Sequence, residues 1–454
     1  MEDITMRKIF QYIMLAVVTI VMASCTSDIE ETTATTGKNN VQLVVGEFPA
    51  FGDSQTRAIG TPDEGKTSWA VGDELLLEID NTSYGRHNAT FTYNGKSWEL
   101  TSGELVYLEG DPAYISHVYY APNYKWSNTS LMLKKGKVAG TDELIEGKAR
   151  ITGNGETITV SFAEATRKYS RLRIATLPNE QITVDTEYFT PAGSSDMEQN
   201  GNYTLTSDEK GNAYLYGTFE NNSEVTVKYR EAALTTYTFS QATESAKSYA
   251  LDATVISANS AEEIKSAIEQ KVADGKTTIR LNLAPNAGTN EFMAIREAIK
   301  GAAPNDLGTI ELTIIGVETI PEEAFYKMLQ LKSVRMSDVK EIKKYAFKEC
   351  QYLTVVEAPS LNKLCSGAFK KCDQLAKLTF GPINYADERN WPIFEYITPN
   401  IDLILSDYQK EMIETDSYLY TANNDRDYAG SDEHNSKNFL GREFRSITCR
   451  YKVK

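Results

Sequence analysis

Histidine is nearly missing from this chain: there are three in 454 residues, His87, His117 and His434. They lie far apart and outside any HxH or HExxH frame, which argues against a histidine-built metal site and a His-based triad. Cysteine is scarce too. Cys25, Cys350, Cys365, Cys372 and Cys449 form no CxxC pair, so no thiolate zinc site is framed. Cationic charge is in deficit, with 47 Lys plus Arg against 63 Asp plus Glu, and a formal net charge of −16 argues against a nucleic-acid binder. No short motif frames a carboxylate pair for acid–base catalysis, so the chain is expected to be no enzyme, with no cofactor and no metal.

The length suits roughly three domains at ~150 residues each. Hydrophobic content of 41% is ordinary for a folded protein, and 10% aromatics with 26 Tyr lean toward strands. Three segments differ in pattern: a leader, a long strand-rich middle and a repeat.

The repeat occupies Leu312 to Phe380. Ala-Phe recurs at Ala324–Phe325, Ala346–Phe347 and Ala368–Phe369, each 22 residues after the last. Val317, Val339 and Leu361 share the step, as do Ile320, Ile342 and Leu364. So do Met328, Cys350 and Cys372, and then Leu331, Leu353 and Leu375. Leu312, Val334, Val356 and Leu378 precede Ile314, Met336, Ala358 and Phe380 by two residues. A fixed period in the twenties predicts a solenoid, whose units bury their apolar faces only against neighbouring units. Ile-Pro-Glu-Glu-Ala-Phe (320–325), Ile-Lys-Lys-Tyr-Ala-Phe-Lys-Glu-Cys (342–350) and Ser-Gly-Ala-Phe-Lys-Lys-Cys (366–372) resemble the BspA-type leucine-rich repeat of bacterial surface proteins. That resemblance implies adhesion to a protein or glycan on a host or microbial surface.

The leader has Arg7 and Lys8 before an apolar run from Ile9 to Met22. This is the pattern of a secretory signal, too short for a stable membrane span. Ala23-Ser24-Cys25 is similar to a lipoprotein cleavage box, implying residues 1–24 as signal peptide and lipidation at Cys25. An ordinary signal beside a coincidental Cys is the other reading. Thr26-Ser27-Asp28-Ile29-Glu30-Glu31 resembles the acidic export tag of Bacteroidetes-type surface lipoproteins, which implies an outer-membrane, cell-surface location with only a lipid anchor in the membrane. Residues 25–40 read as a flexible tether.

From Val41 to about Ile256, short alternating runs are punctuated by turns, predicting two β-sandwich domains at 41–155 and 156–256. Phe91 and Tyr93 precede Asn94-Gly95, a pair suited to a two-residue hairpin, and Trp98 and Leu100 follow. Trp69-Ala-Val-Gly72-Asp73, the Tyr119-Tyr120-Ala121-Pro122 segment and Thr159-Val-Ser-Phe162 are similar to motifs of the fimbrillin superfamily. That superfamily has two tandem β-sandwiches carried on lipoproteins and assembled into pili. The resemblance implies that Thr159–Phe162 opens the second domain, although the family's usual His is absent after it, where Ala163-Glu164 stand. It also implies a maturation cleavage, for which Gln55-Thr56-Arg57-Ala58 is the candidate. Cutting between Arg57 and Ala58 would remove a strand and open a groove for another subunit's strand. A plain surface arginine is the alternative. Tyr119, Tyr120, Tyr124 and Trp126 form the densest aromatic cluster, either a sugar-stacking platform or part of a core.

At 257 a third unit, 257–454, begins. Ser260-Ala-Glu-Glu263 is a capping-box pattern, and Ile264, Ala267, Ile268 and Val272 follow one helical face before Gly275. Ile279, Leu281 and Leu283 read as a strand, Phe292 to Ile299 as a second helix and Ile310 to Ile315 as the next strand. Together they would cap the solenoid. After Phe380 the repeat decays toward Ile401–Leu405 and a C-terminal cap, with a polar loop at 423–437.

Thr313, Arg335, Glu357 and Thr379 alternate with the inward slots and should form an outward ladder, the candidate ligand-facing row. Arg335 and Glu357 could equally pair with each other. Between Pro321 and Phe380, 10 Lys and 1 Arg face 7 Asp plus Glu, a local surplus of four positive charges in an acidic chain. Lys343, Lys344, Lys370 and Lys371 recur at equivalent edges as further candidate contacts for an acidic ligand. Cys350 and Cys372 stand one coil apart, at ~4.8 Å by strand spacing, either as buried thiols or as a disulfide. The fold class expected is mainly β and multidomain: two tandem β-sandwiches followed by a short α/β leucine-rich-repeat solenoid. The function expected is a surface-anchored lipoprotein adhesin. An accessory or tip subunit of a pilus, bound to other pilus subunits, is the alternative.

Overall fold

The computed structural model describes residues 42–49, 51, 66–81, 85–104, 113–128, 130–152, 157–162, 167–230, 232–387, 393–397, 400–406, 438–440 and 442–451. The signal peptide, the tether, Cys25, Arg57, Ala58, Gly155 and the loop at 423–437 lie outside the described residues.

Seven strands form the first sheet. Their order is Gln42–Val45, Thr157–Ser161, Ile145–Thr152, Ala113–Tyr120, Glu74–Asn81, Gly85–Tyr93 and Trp98–Gly103. The pairings are antiparallel except that Gln42–Val45 runs parallel to Thr157–Ser161, with Leu43 opposite Ile158. Period-two alternation sends Leu75, Leu77 and Ile79 inward with Phe91, Trp98, Val118, Tyr120, Ile145 and Val160. One strand serves two neighbours. Ile145–Gly147 pairs with the strand ending at Tyr120, and Lys148–Thr152 pairs with Thr157–Ser161.

The Trp-Ala-Val-Gly-Asp segment closes one end of this core. The Trp69 ring meets Phe48, Trp98 and Tyr120 edge-on at centroid distances of 4.9, 5.2 and 5.4 Å, and its Nε1–H donates to the Gly46 carbonyl at 2.8 Å. Gly72 has φ +92°, which a side chain would resist, and the Asp73 carboxylate accepts from the Ala70 N–H at 2.7 Å.

Two sequence expectations change here. The Asn-Gly turn is four residues long, because Tyr93 pairs with Trp98. The Asn94 side chain accepts from the N–H groups of Lys96 and Ser97 at 2.8 Å each, so a side-chain turn replaces the two-residue one. The strand Thr157–Ser161 was expected to open the second domain, with a border near residue 155. It lies inside the first sheet instead, because Ile158 and Val160 complete that core.

Two four-stranded sheets follow. One is ordered Phe189–Pro191, Asn212–Phe219, Ser170–Ala175 and Ser248–Asp252; the other Gly201–Thr206, Gln181–Thr186, Glu224–Tyr229 and Ala232–Thr238. Their inward residues, among them Leu172, Ile174, Leu215 and Phe219 from one and Val184, Leu205, Val225 and Val227 from the other, belong to one core. Buried Arg167 and Glu143 pair where this unit meets the first sheet. The Arg167 guanidinium also donates to the Pro49 carbonyl at 2.7 Å and lies 3.7 Å from the Phe51 ring, which Arg171 approaches at 4.3 Å. Burial pushes the Glu143 carboxyl up, and the Arg167 charge opposes it.

The C-terminal part is an eight-stranded parallel sheet of Ile256–Ala258, Thr278–Leu283, Ile310–Ile315, Leu331–Met336, Val355–Ala358, Lys377–Phe380, Asp402–Ser406 and Ser446–Tyr451. A smaller parallel sheet of Thr319–Ile320, Glu341–Ile342, Lys363–Cys365 and Tyr385–Asp387 lies along the same coils. Helix α1, Ala261–Ala273, begins at Ser260, whose hydroxyl accepts from the Glu263 N–H at 3.3 Å. It buries Ile264 and Ile268. Helix α2, Thr289–Ala302, starts before Phe292 because the Glu291 carboxylate accepts from the Gly288 N–H at 2.8 Å.

Every repeated apolar slot is buried. The Ala-Phe turns join coil to coil: the Phe325 N–H donates to Ala346 O at 2.7 Å, and the Phe347 N–H to Ala368 O at 2.9 Å. The phenylalanines stack in a column, Phe325 on Phe347 at 5.0 Å and Phe347 on Phe369 at 5.4 Å, with Phe292 of α2 edge-on at 5.6 Å. Two turn positions per coil take positive φ: Glu323, Tyr345 and Gly367 at one, and Lys327, Glu349, Lys371 and Tyr396 at the other. The second series reveals a fourth turn where the sequence pattern decays. There Phe394 stacks on Phe369 at 5.7 Å, and the Phe369 N–H donates to Ile393 O at 3.0 Å. The step has lengthened, and Ile has replaced Ala, so the 22-residue template skips it.

Cys350 and Cys372 are free thiols that donate to Phe325 O at 2.9 Å and Phe347 O at 3.0 Å, so the disulfide alternative is not formed. Replacing Phe347 by Ala removes two ring contacts at once. It is expected to lower stability by ~3–5 kcal/mol, read from the shift in denaturant midpoint at unchanged slope.

Candidate functional site

The parallel register puts Thr313 beside Arg335, Arg335 beside Glu357 and Glu357 beside Thr379. The ladder is therefore real as geometry, but its rungs differ in access. Thr313 is buried, at 4% exposure. Leu234, Thr235 and Thr236 of the preceding sheet lie over this end, leaving a cleft of about 190 Å³ shared with Arg280, Glu311, Ser333 and Arg335. Buried Arg280 fastens the contact, its Nε–H donating to the Leu234 carbonyl at 2.6 Å. Burial lowers the Arg280 pKa from its ordinary value, while Asp252, 4.0 Å away, opposes the shift.

Arg335 Nε lies 2.9 Å from Glu357 Oε2, and Lys377 Nζ lies 3.7 Å from Glu357 Oε1. The two middle rungs thus engage each other. The same coil-to-coil pairing recurs along the solenoid: Lys332–Glu311 at 2.8 Å, Lys340–Glu318 at 2.5 Å and Lys363–Glu341 at 2.8 Å. A charge on one coil meets its opposite on the next because equivalent positions stand one strand spacing apart.

The four candidate lysines divide. Lys370 is mostly buried and pairs with Glu395 at 2.6 Å, and Lys371 lies 4.0 Å from Glu349. Lys343 is exposed. Lys344 Nζ lies over the Tyr345 ring at 4.8 Å. Three further residues of this edge were not singled out from sequence. Lys348 Nζ sits between the Tyr326 ring at 5.0 Å and the Tyr345 ring at 4.7 Å, and Lys327 Nζ lies over Tyr326 at 5.1 Å. Their signal was available, since Tyr326 and Lys348 occupy one repeat slot.

A second cleft, about 670 Å³, opens beside Gly316, Glu318, Asp338, Lys340 and Ser360 with Arg230 of the preceding unit. In it the Gly316 N–H donates to the Asp338 carboxylate at 2.8 Å. Among the described residues no cluster of His, Cys, Asp or Glu has the geometry of a metal site, and no helix is long and apolar enough to cross a membrane. The aromatic cluster is core and edge: Tyr120 and Tyr124 are buried, and half-buried Tyr119 and Trp126 meet at 6.2 Å.

Residues 306–409 match the BspA type leucine rich repeat region in six copies. A crystal structure of a T. pallidum leucine rich repeat protein aligns at 18% identity, covering 21% of this chain and 58% of that one, with a TM-score of 0.17. No curated protein matches the chain. The chain therefore contains a BspA-type leucine-rich-repeat region, built on a mainly β framework of several sheets.

Two measurements follow. A double-mutant cycle on Arg335→Ala and Glu357→Ala should return a coupling of only ~0.2–1 kcal/mol, because the pair is partly exposed. The Cys350 thiol is pushed up by burial from 9.0 to about 12. In the unfolded chain it ionises near 9.0, so stability should fall as pH rises from about 9 toward 12. Thiol reagents should leave Cys350 and Cys372 untouched in the native protein and label both after denaturation.

Proposed function

We propose that the chain is a non-enzymatic, surface-anchored lipoprotein adhesin, held at the outer membrane by lipidated Cys25. Its leucine-rich-repeat region binds a protein or glycan on a host or microbial surface, and it takes no nucleic acid and no cofactor. The match of residues 306–409 to the BspA-type repeat carries this reading. The strand-rich units before it are read as two tandem β-sandwiches that act as a stalk between anchor and head. The shared core of the two four-stranded sheets supports that reading for the second sandwich. The strand Ile145–Thr152, divided between two neighbours, supports it for the first.

One observation favours a second reading, an accessory or tip subunit of a fimbrillin-type pilus. Gln42–Val45 is an edge strand, and its Leu43 and Val45, with Phe48, fill the first core. Cleavage after Arg57 would release this strand and leave a groove for a strand from another subunit.

On an array of host proteins and glycans, the purified chain is expected to bind a discrete set, and silence on both would sink the adhesin reading. Cys25→Ala should abolish metabolic lipid labelling and surface display. Unboiled cell extracts should give a single band for a free adhesin, whereas a ladder, with Ala58 as the new N-terminus, would favour the pilus subunit.

A further inference from the structure

The charge surplus of the repeat is not spread evenly. On the strand side, Lys332, Arg335, Lys340, Lys363 and Lys377 all have carboxylate partners. The surplus sits on two consecutive turns. Residues 343–350 carry Lys343, Lys344 and Lys348 against Glu349 alone, and residues 365–372 carry Lys370 and Lys371 with no acidic residue. Glu395 neutralises Lys370, and the single carboxylate of Glu349 is shared between Lys327 at 3.6 Å and Lys371 at 4.0 Å. Lys343, Lys344 and Lys348 have no carboxylate partner among the described residues. Two of them are held in place, Lys344 over the face of Tyr345 and Lys348 over those of Tyr326 and Tyr345, while Lys343 is exposed. Beside them α2 adds Arg296, which donates to Glu323 O at 2.9 Å, and Lys300, at 3.4 Å from Tyr326 O. These cations crowd one another: the Lys300 pKa is lowered by burial and by the Arg296 and Lys327 charges.

We propose that this turn edge, Lys327, Lys343, Lys344 and Lys348 over Tyr326 and Tyr345, binds a linear sulfated polysaccharide. The inference rests on the adhesin reading and names its face and ligand class. Ammonium groups pre-ordered on aromatic faces lose little freedom on meeting anions. Lys343, Lys344 and Lys348 lie on one turn and Lys327 on the coil before it, so the cations form a cluster across two adjacent coils that sulfates on neighbouring sugars can meet. The strand-side ladder is a poorer site, because its cations are already neutralised and its first rung is covered.

The test uses the full chain on immobilised heparin, chemically desulfated heparin and poly-L-glutamate, with the same proteins applied to the array and to target cells. Heparin should retain the protein in a salt-sensitive manner, and desulfated heparin should not. The triple variant Lys343→Gln, Lys344→Gln, Lys348→Gln should bind heparin about tenfold more weakly or worse at an unchanged melting temperature. Arg335→Gln with Glu357→Gln should bind like the parent. Glu349→Gln, which removes the carboxylate shared by Lys327 and Lys371, should bind more tightly, a gain that misfolding cannot produce; Glu322 and Glu323, on the turn that carries Lys327, remain in place. Equal binding to desulfated heparin overturns the sulfate assignment, and equal binding to poly-L-glutamate points to an acidic protein instead. A triple variant that binds like the parent moves the site elsewhere. Failure on heparin with retained cell or array binding overturns this proposal alone, while failure on all of them overturns the adhesin reading with it.

Discussion

No coil of this solenoid can bury its own apolar face. Each contributes a strand to each parallel sheet, one Ala-Phe turn and one small apolar slot, and each side chain finds cover only on the coils beside it. The interaction that enforces the stacking is the column of phenylalanine rings from Phe325 to Phe394, capped edge-on by Phe292 and by Phe444 at 5.5 Å. The column dictates the rest of the repeat. The turn must bring the ring inward beneath the next turn, so the preceding residue is small: Ala324, Ala346 and Ala368 are all buried. Two residues per turn must take positive φ, and Lys327, Glu349 and Lys371 accept it at the surface without the glycine used at Gly367. Thiols fit the remaining slot because a small side chain there meets a backbone carbonyl, which each Sγ–H satisfies.

That same stacking organises the charge. Equivalent residues lie one strand spacing apart, so a coil with Lys or Arg beside a coil with Glu yields an ion pair without dedicated architecture. Partly exposed pairs of this kind contribute little energy each. Their effect is on availability, since a paired cation must give up one partner to take another. The strand side has spent its cations in this way. The turn edge at 343–350 has not: Lys348 has Tyr326 and Lys370 in its slot on the neighbouring coils, and Lys344, with Glu322 and Ser366 in its slot, lies over the Tyr345 ring and forms no ion pair among the described residues. Binding capacity is thus decided by what the adjacent coils place opposite, more than by the number of lysines.

Periodic features were legible in the chain. Every apolar slot from Leu312 to Phe380 is buried, because a 22-residue step constrains all units alike and one misread residue is outvoted by its equivalents. The Ser260 cap, α1 and the strand at 278–283 were legible because their signals are local. What failed was non-local. The strand Thr157–Ser161 has the same alternation whichever core it completes, and only its partners Gln42–Val45 and Ile145–Thr152 assign it to the first sheet. The Asn94 turn depends on a side-chain oxygen that competes with the hairpin geometry. The fourth turn at 393–396 escaped because both its step and its small residue had changed. In the candidate site, the Arg335–Glu357 pairing was readable as an alternative, whereas the burial of Thr313 was not, since Thr235 and Thr236 stand far away in sequence.

The contact that buries Thr313 also bears on how the head is carried. Ile315, on the outer side of the solenoid sheet, belongs to the core of the two four-stranded sheets, and Arg280 reaches across to the Leu234 carbonyl. Asp252, which takes part in the same junction, is pushed up by burial but drawn below its ordinary value by hydrogen bonds from Thr254 and by the Arg280 charge. A solenoid side chain seated in the neighbouring core and a buried guanidinium bonded across the junction both resist separation, because parting them would expose Ile315 to water and break the bond from Arg280 to the Leu234 carbonyl. A flexible linker would let the head reorient freely; this junction holds the first solenoid strands against the preceding unit. The junction therefore covers the N-terminal end of the strand face, where Thr313 is buried beneath Leu234, Thr235 and Thr236.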